Sequence, residues 1–174
     1  GVGAGIILDH HLYTGFAGTA GEAGHMIVQP GGRSCPCGNH GCLEQYISEP
    51  AVLSRYQELS GRTTVSIDDL VWSYNQKEAD ALAVVDEFTT YLACGINNLW
   101  NLFSPECIIL NSQLTAYLPQ LLPEILQKLS ARFRATCQLK LSTLQDTGVL
   151  LGAARVCISK YLGIEKLYFS GFQP

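Results

Sequence analysis

Apolar and polar positions change period several times along this chain. Residues 5–8 (Gly-Ile-Ile-Leu) and 12–13 (Leu-Tyr), parted by Asp9-His10-His11, predict a β-hairpin in which Asp9 is a turn former. Residues 25–28 read as a further strand. Beyond a glycine- and cysteine-rich turn, residues 43–48 begin a helix, and residues 51–59 form a second one ended by Gly61. Ser66 is placed to cap a short helix through Tyr74, with Asp68 and Asp69 in its first turn, where the helix dipole favours negative charge.

A long helix is predicted over residues 78–103. Leu82, Val85, Phe88, Leu92, Ile96, Leu99 and Phe103 recur at three- and four-residue steps, which is the stripe of a helix facing a core. Pro105 stops it, and residues 107–110 make a buried strand. Residues 118–133 predict another amphipathic helix with Pro119 in its first turn, residues 139–141 a strand, and residues 148–162 the last helix. Strands alternating with helices imply an α/β fold with a parallel or mixed sheet covered by helices. The apolar tail 164–174 suggests docking on a partner subunit.

Composition narrows the picture. At 174 residues, 47% hydrophobic and 15% charged, the chain predicts one domain with one substantial core. Mean hydropathy is +0.15, and no apolar run has transmembrane length, so no membrane partner is expected. The formal net charge is −4 with dispersed basic residues. A nucleic-acid footprint needs a clustered positive face, so these residues alone should not bind DNA. Seven cysteines, an odd number with no paired framework and no signal peptide, favour a reducing cytoplasm.

The candidate chemistry lies in residues 21–44, G-E-A-G-H-M-I-V-Q-P-G-G-R-S-C-P-C-G-N-H-G-C-L-E. Cys35, Cys37 and Cys42 crowd one turn, with His25 upstream. Three thiolates and one imidazole suit tetrahedral Zn2+ with no position left for a reacting water, hence a structural site. His40, inside the turn, competes with His25 as fourth ligand. The alternative is a disulfide, but one residue between Cys35 and Cys37 makes a poor ring. Cys94, Cys107, Cys137 and Cys157 read as small core hydrophobes. Glu22 and Glu44 flank the ligand set; taken alone they could be surface carboxylates or a helix-start charge. The opening Gly1, Gly3 and Gly5 form a turn of the kind whose backbone amides approach an anion, a weak signal of a phosphate loop. The abrupt start leads us to expect the downstream part of a longer protein.

G-E-A-G-H followed ten residues later by C-P-C-G-N-H-G-C-L-E resembles the signature of the ROK family, which comprises bacterial sugar kinases and NagC/Mlc/XylR-type repressors built on the same sugar-binding module. The opening G-V-G-A-G-I, N-L-F-S-P-E at residues 101–106 and L-G-A-A at residues 151–154 agree in order. The resemblance covers essentially the whole chain and implies the C-terminal lobe, residues 1–174, of an actin-like ATPase (ribonuclease H-like) fold with a zinc-stapled loop. It also implies zinc on His25, Cys35, Cys37 and Cys42, and sugar contacts from Glu22, His25 and Glu44. Ionised carboxylates accept hydrogen bonds from sugar hydroxyls, and a metal staple would hold them in place.

The family's catalytic Asp and first phosphate loop would lie upstream, as would a repressor's winged helix-turn-helix, so no residue here is expected to be catalytic. Where family kinases carry glycines after the strand that follows N-P-E, this chain has Asn111-Ser112-Gln113, whose Cβ atoms obstruct a nucleotide. The expectation is the effector-binding and oligomerisation lobe of a homodimeric ROK transcriptional regulator of carbohydrate metabolism. Its effector would be a sugar or sugar phosphate, and DNA would be read only through a domain outside this chain. The alternatives are a fragment of an ATP-dependent hexose or N-acylhexosamine kinase, or a zinc-stapled interaction domain without ligand.

Overall fold

A computed structural model describes residues 1–145 and 147–163, so the tail 164–174 lies outside the described residues. Two compact units result, Gly1–Leu141 and Ser142–Pro174.

The first unit is organised around one long helix. Strands β1 (Ile7–Leu8) and β2 (His11–Leu12) pair antiparallel, Leu8 opposite His11. The loop is therefore Asp9-His10 alone, with φ of 50° and 67°. Two left-handed residues match the twist of a two-residue hairpin, and Asp tolerates that conformation. A 3-10 turn, Ala23–His25, follows where a strand was expected. Residues 26–28 make one isolated bridge, Ile27 to Cys42, and a second joins Ser34 to His40.

Helices α1 (Glu44–Ile47), α2 (Glu49–Ser60) and α3 (Ile67–Asn75) come next. Their ends obey local chemistry: the Ser48 hydroxyl accepts from Ala51 N at 3.4 Å, and Gly61 closes α2 at φ 69°. Ser66 and Asp69 form a reciprocal capping box on α3.

Helix α4 (Ala79–Phe103) is the axis of the core. The buried side is Ala81, Val84, Val85, Phe88, Ala93, Ile96 and Trp100, packed with α1, α2, α3 and α6. The predicted stripe was therefore rotated: Leu82 and Phe103 are exposed. Apolar side chains alone could not reveal that Ala81 and Ala93 are buried or that Gly95 marks a close approach. A Cβ on Gly95 would meet Leu43 Cδ2 at 2.6 Å, so this mid-helix glycine admits the residue next to Cys42.

Strand β3 (Cys107–Leu110) pairs parallel with β4 (Gln138–Leu141), Cys107 opposite Gln138. The single helix expected between them is three: α5 (Gln113–Tyr117), α6 (Leu121–Lys128) and α7 (Ala131–Thr136). Leu118-Pro119 interrupts the first junction. At the second, Leu129 is extended and the Ser130 hydroxyl caps α7 by accepting from Phe133 N at 3.1 Å. Leu118, Leu121, Ile125 and Phe133 stay on one buried side, so the periodicity was right and its continuity was not.

The described residues of the second unit form α8 (Thr147–Leu162), with no buried residue along it. Cys157 is exposed, which corrects its reading as a core hydrophobe; Cys137 is buried as expected. No helix among the described residues is long and apolar enough to cross a membrane.

Candidate metal centre and the carboxylates beside it

Residues 26–43 fold back on themselves in nested turns. Leu43 N donates to Met26 O at 2.8 Å, Val28 N to Gly41 O at 2.9 Å, and Cys35 N to Asn39 O at 2.9 Å. Gly41 is required: its φ is 83°, and a Cβ there would lie 1.7 Å from the Gln29 carbonyl. These turns bring three sulfurs to one point. Ligand atoms of His25, Cys35, Cys37 and Cys42 all lie within 4.8 Å of one another.

The set fits a metal. Cys37 Sγ stands 3.6 Å from Cys42 Sγ, and Cys35 Sγ 3.7 Å from His25 Nδ1. A tetrahedron with Zn–S of about 2.3 Å has S–S edges of about 3.8 Å, so one ion can reach all four donors with little adjustment. All seven cysteines are free thiols, and His40 is exposed and outside the cluster, so His25 is the imidazole that the cluster contains.

The thiols are unequally poised. The Asn39 backbone amide, with the Cys35 side chain second, lowers Cys37 to about 7. Burial pushes Cys42 up to about 12. A buried thiol that resists ionisation needs a local cation to become thiolate, and a bound divalent ion would supply that charge. Gln45 Nε2 donates to Cys35 Sγ at 3.6 Å, orienting that sulfur from outside the ligand shell.

Both predicted carboxylates border the same imidazole. Glu44 Oε1 is 3.9 Å from His25 Nδ1 and 3.7 Å from Cys35 Sγ. Glu22 Oε2 is 3.8 Å from Nε2 on the other side of the ring. If the cysteine side takes Nδ1, Nε2 keeps its proton and faces Glu22 as a donor. Glu44 is sheltered, with 17% of its side chain exposed, whereas Glu22 is open at 66%.

Sequence reasoning missed the support. Arg33 Nη1 donates to the Gln45 carbonyl at 2.8 Å, its Nη2 pairs with Glu87 on α4, and its backbone N–H donates to the Tyr46 hydroxyl at 3.0 Å. Its guanidinium lies 4.5 Å over the Tyr46 ring, which stacks on Tyr91 at 4.0 Å. Arg33 is the one cation in its loop, a faint signal; Glu87 stands 54 residues away and carried none.

Gly1, Gly3 and Gly5 lie in an irregular segment, none at positive φ, pinned where Ala4 N donates to Gly21 O at 2.7 Å. They line a cleft of about 980 Å³, together with Asn111, Ser112 and Gln113 at the end of β3. The two elements expected near a nucleotide thus share one cavity, otherwise walled by apolar side chains of α4 such as Ile96, Leu99 and Phe103.

Comparison with known proteins places this geometry. The ROK family model matches residues 1–160. A xylose repressor from Bacillus spizizenii is 33% identical over 171 residues, covering 96% of this chain and 44% of the repressor. Among solved structures, a ROK family transcriptional regulator described as a homologue of the E. coli MLC protein superposes with a TM-score of 0.72. It is 30% identical and covers 94% of this chain and 44% of its own. The ROK hexokinase from Thermus thermophilus gives a TM-score of 0.74 at 25% identity, over 91% of this chain and 55% of its own. This chain spans about half the length of such relatives, or less. Its match over nearly all of its own length shows that it belongs to the ROK family.

Proposed function

We propose that residues 1–174 are the effector-binding and oligomerisation lobe of a ROK-type transcriptional regulator of carbohydrate metabolism. A sugar is held by Glu22, His25 and Glu44, and Zn2+ by His25, Cys35, Cys37 and Cys42. The observation that carries this reading is the shared imidazole: His25 stands within 3.8 Å of Glu22 and 3.9 Å of Glu44, and its ring also belongs to the four-donor cluster. Glu22 beside the Nε2–H donor and Glu44 at the opposite edge of the ring offer acceptors and a donor to hydroxyls of a sugar ring. Zinc, when bound, neutralises thiolate charge and fixes the turn; the residues around it do the binding. Sugar occupancy would bias one arrangement of a homodimer over another, and DNA would be read by a domain outside this chain.

The identity to a xylose repressor supports a regulator over a kinase, as do Asn111, Ser112 and Gln113 on the large cleft. The kinase reading keeps one favourable observation, the superposition on a ROK hexokinase. ATP-dependent sugar phosphorylation by the intact protein would decide for it. In the intact protein, Glu44→Ala should weaken sugar affinity at least about tenfold with a melting temperature within about 2 °C of wild type. Calorimetric titration reads the first and a thermal melt the second. Unchanged affinity removes Glu44 from the site.

A further inference from the structure

A second cavity of about 380 Å³ opens beside Glu44, bounded by Gly1, Arg33, Ser54, Arg55 and Glu58. Its size lies at the small end of cavities that hold small-molecule ligands. Glu44 lines this cavity and also stands beside His25. Its Oε1 faces His25 at 3.9 Å, while its Oε2 lies on the Gly1 side, 3.7 Å from where a Cβ on Gly1 would stand.

The charges around this cavity are already matched. Arg33 pairs with Glu87 and donates to the Gln45 carbonyl. Arg55 donates through Nε to Glu87 Oε2 at 3.2 Å and through Nη1 to Glu58 Oε2 at 2.9 Å. Two guanidinium groups thus face Glu87 and Glu58, and Glu44 adds a third carboxylate. A phosphate entering here would find both guanidinium groups already paired and the carboxylates of Glu44 and Glu58 beside it. Hydroxyl groups find what they need: Glu44 and Glu58 accept from them, and Arg55 Nη2, which makes no hydrogen bond among the described residues, donates to them.

We propose that this cavity is a second subsite, taking an uncharged, hydroxyl-bearing ring joined to the sugar at Glu22, His25 and Glu44. The effector is then a neutral disaccharide. This rests on the sugar-binding reading above and adds the class of ligand. Ser54 is exposed on α2, so a large side chain there fills the cavity without entering the core.

Calorimetric titration of the intact protein tests it with D-xylose, D-glucose and N-acetyl-D-glucosamine, their β-1,4 dimers xylobiose, cellobiose and chitobiose, and glucose 6-phosphate. One dimer should bind at least about tenfold tighter than its monomer, and Ser54→Trp should erase that gain while leaving the monomer's Kd unchanged. Glu58→Leu, another exposed position on α2, should reduce the same gain. A dimer no tighter than its monomer, a gain that survives Ser54→Trp, or glucose 6-phosphate as the tightest ligand would each overturn the subsite. Monomer binding with no dimer gain leaves the sugar site standing and removes only the subsite. Absence of binding by every sugar overturns both.

Discussion

At the scale of single residues, this chain gives one side chain two neighbourhoods. His25 meets the sulfur cluster at Nδ1 and has a carboxylate near each ring nitrogen, so a change at His25 would disturb the proposed metal and sugar sites together. Cys37 separates them better. It is exposed, whereas Cys35 and Cys42 are buried. Cys37→Ser should therefore abolish stoichiometric zinc without leaving a polar atom in the core. Elemental analysis by plasma mass spectrometry after gel filtration is the check. Full zinc content in the variant would remove Cys37 from the ligand set.

At the scale of elements, the turns and caps are where local chemistry decided structure by itself. The Ser66–Asp69 capping box needs only four consecutive residues, and the Asp9-His10 loop only two. The box also has a pH signature. The Ser66 hydroxyl, followed by the Ser66 backbone N–H, holds the Asp69 carboxyl below its usual range. A carboxyl depressed in the folded state adds stability that is present above its unfolded value and lost as pH falls through the folded one. Asp69→Asn should thus destabilise at neutral pH and converge with wild type as acid takes the solution below the folded carboxyl's lowered value. Melts across that range would show it; a constant offset at all pH values would mean that the charge on Asp69 contributes nothing. Helix α4 behaved differently. Its existence and length follow from pattern, but the face it buries was set by neighbours: Leu43 against Gly95, and the Lys128 ammonium donating to Thr89 and Thr90 hydroxyls at 2.8 and 2.7 Å.

At the scale of the molecule, the metal loop is tied to the core of the first unit. Arg33 links it to Glu87, the Tyr46–Tyr91 pair stacks α1 on α4, and Leu43 enters the gap at Gly95. The ion pair is partly exposed and contributes about 0.2–1 kcal/mol at most, so its role is mainly to fix geometry. Packing carries the coupling. Removing the metal with a chelator should lower the thermal midpoint of the first unit by about 5 °C or more, as a single transition. A far-UV melt that does not move would show that the loop is held without the ion.

The four donors that the fold gathers, His25, Cys35, Cys37 and Cys42, were readable in order, because tight turns confine them to a short stretch of chain. Most helices and the β3 and β4 strands followed from periodicity, since burying one face leaves a repeating mark; α5 (Gln113–Tyr117) lay upstream of the helix that was expected. What only the tertiary structure decided concerns partners remote in sequence. It chose His25 over His40, replaced the expected 25–28 strand with a turn, broke the 118–133 helix at Leu129, and set Glu87 opposite Arg33. Each outcome depends on which atoms the folded chain brings within a few ångströms, and distance in space leaves no trace in the local alternation of apolar and polar residues.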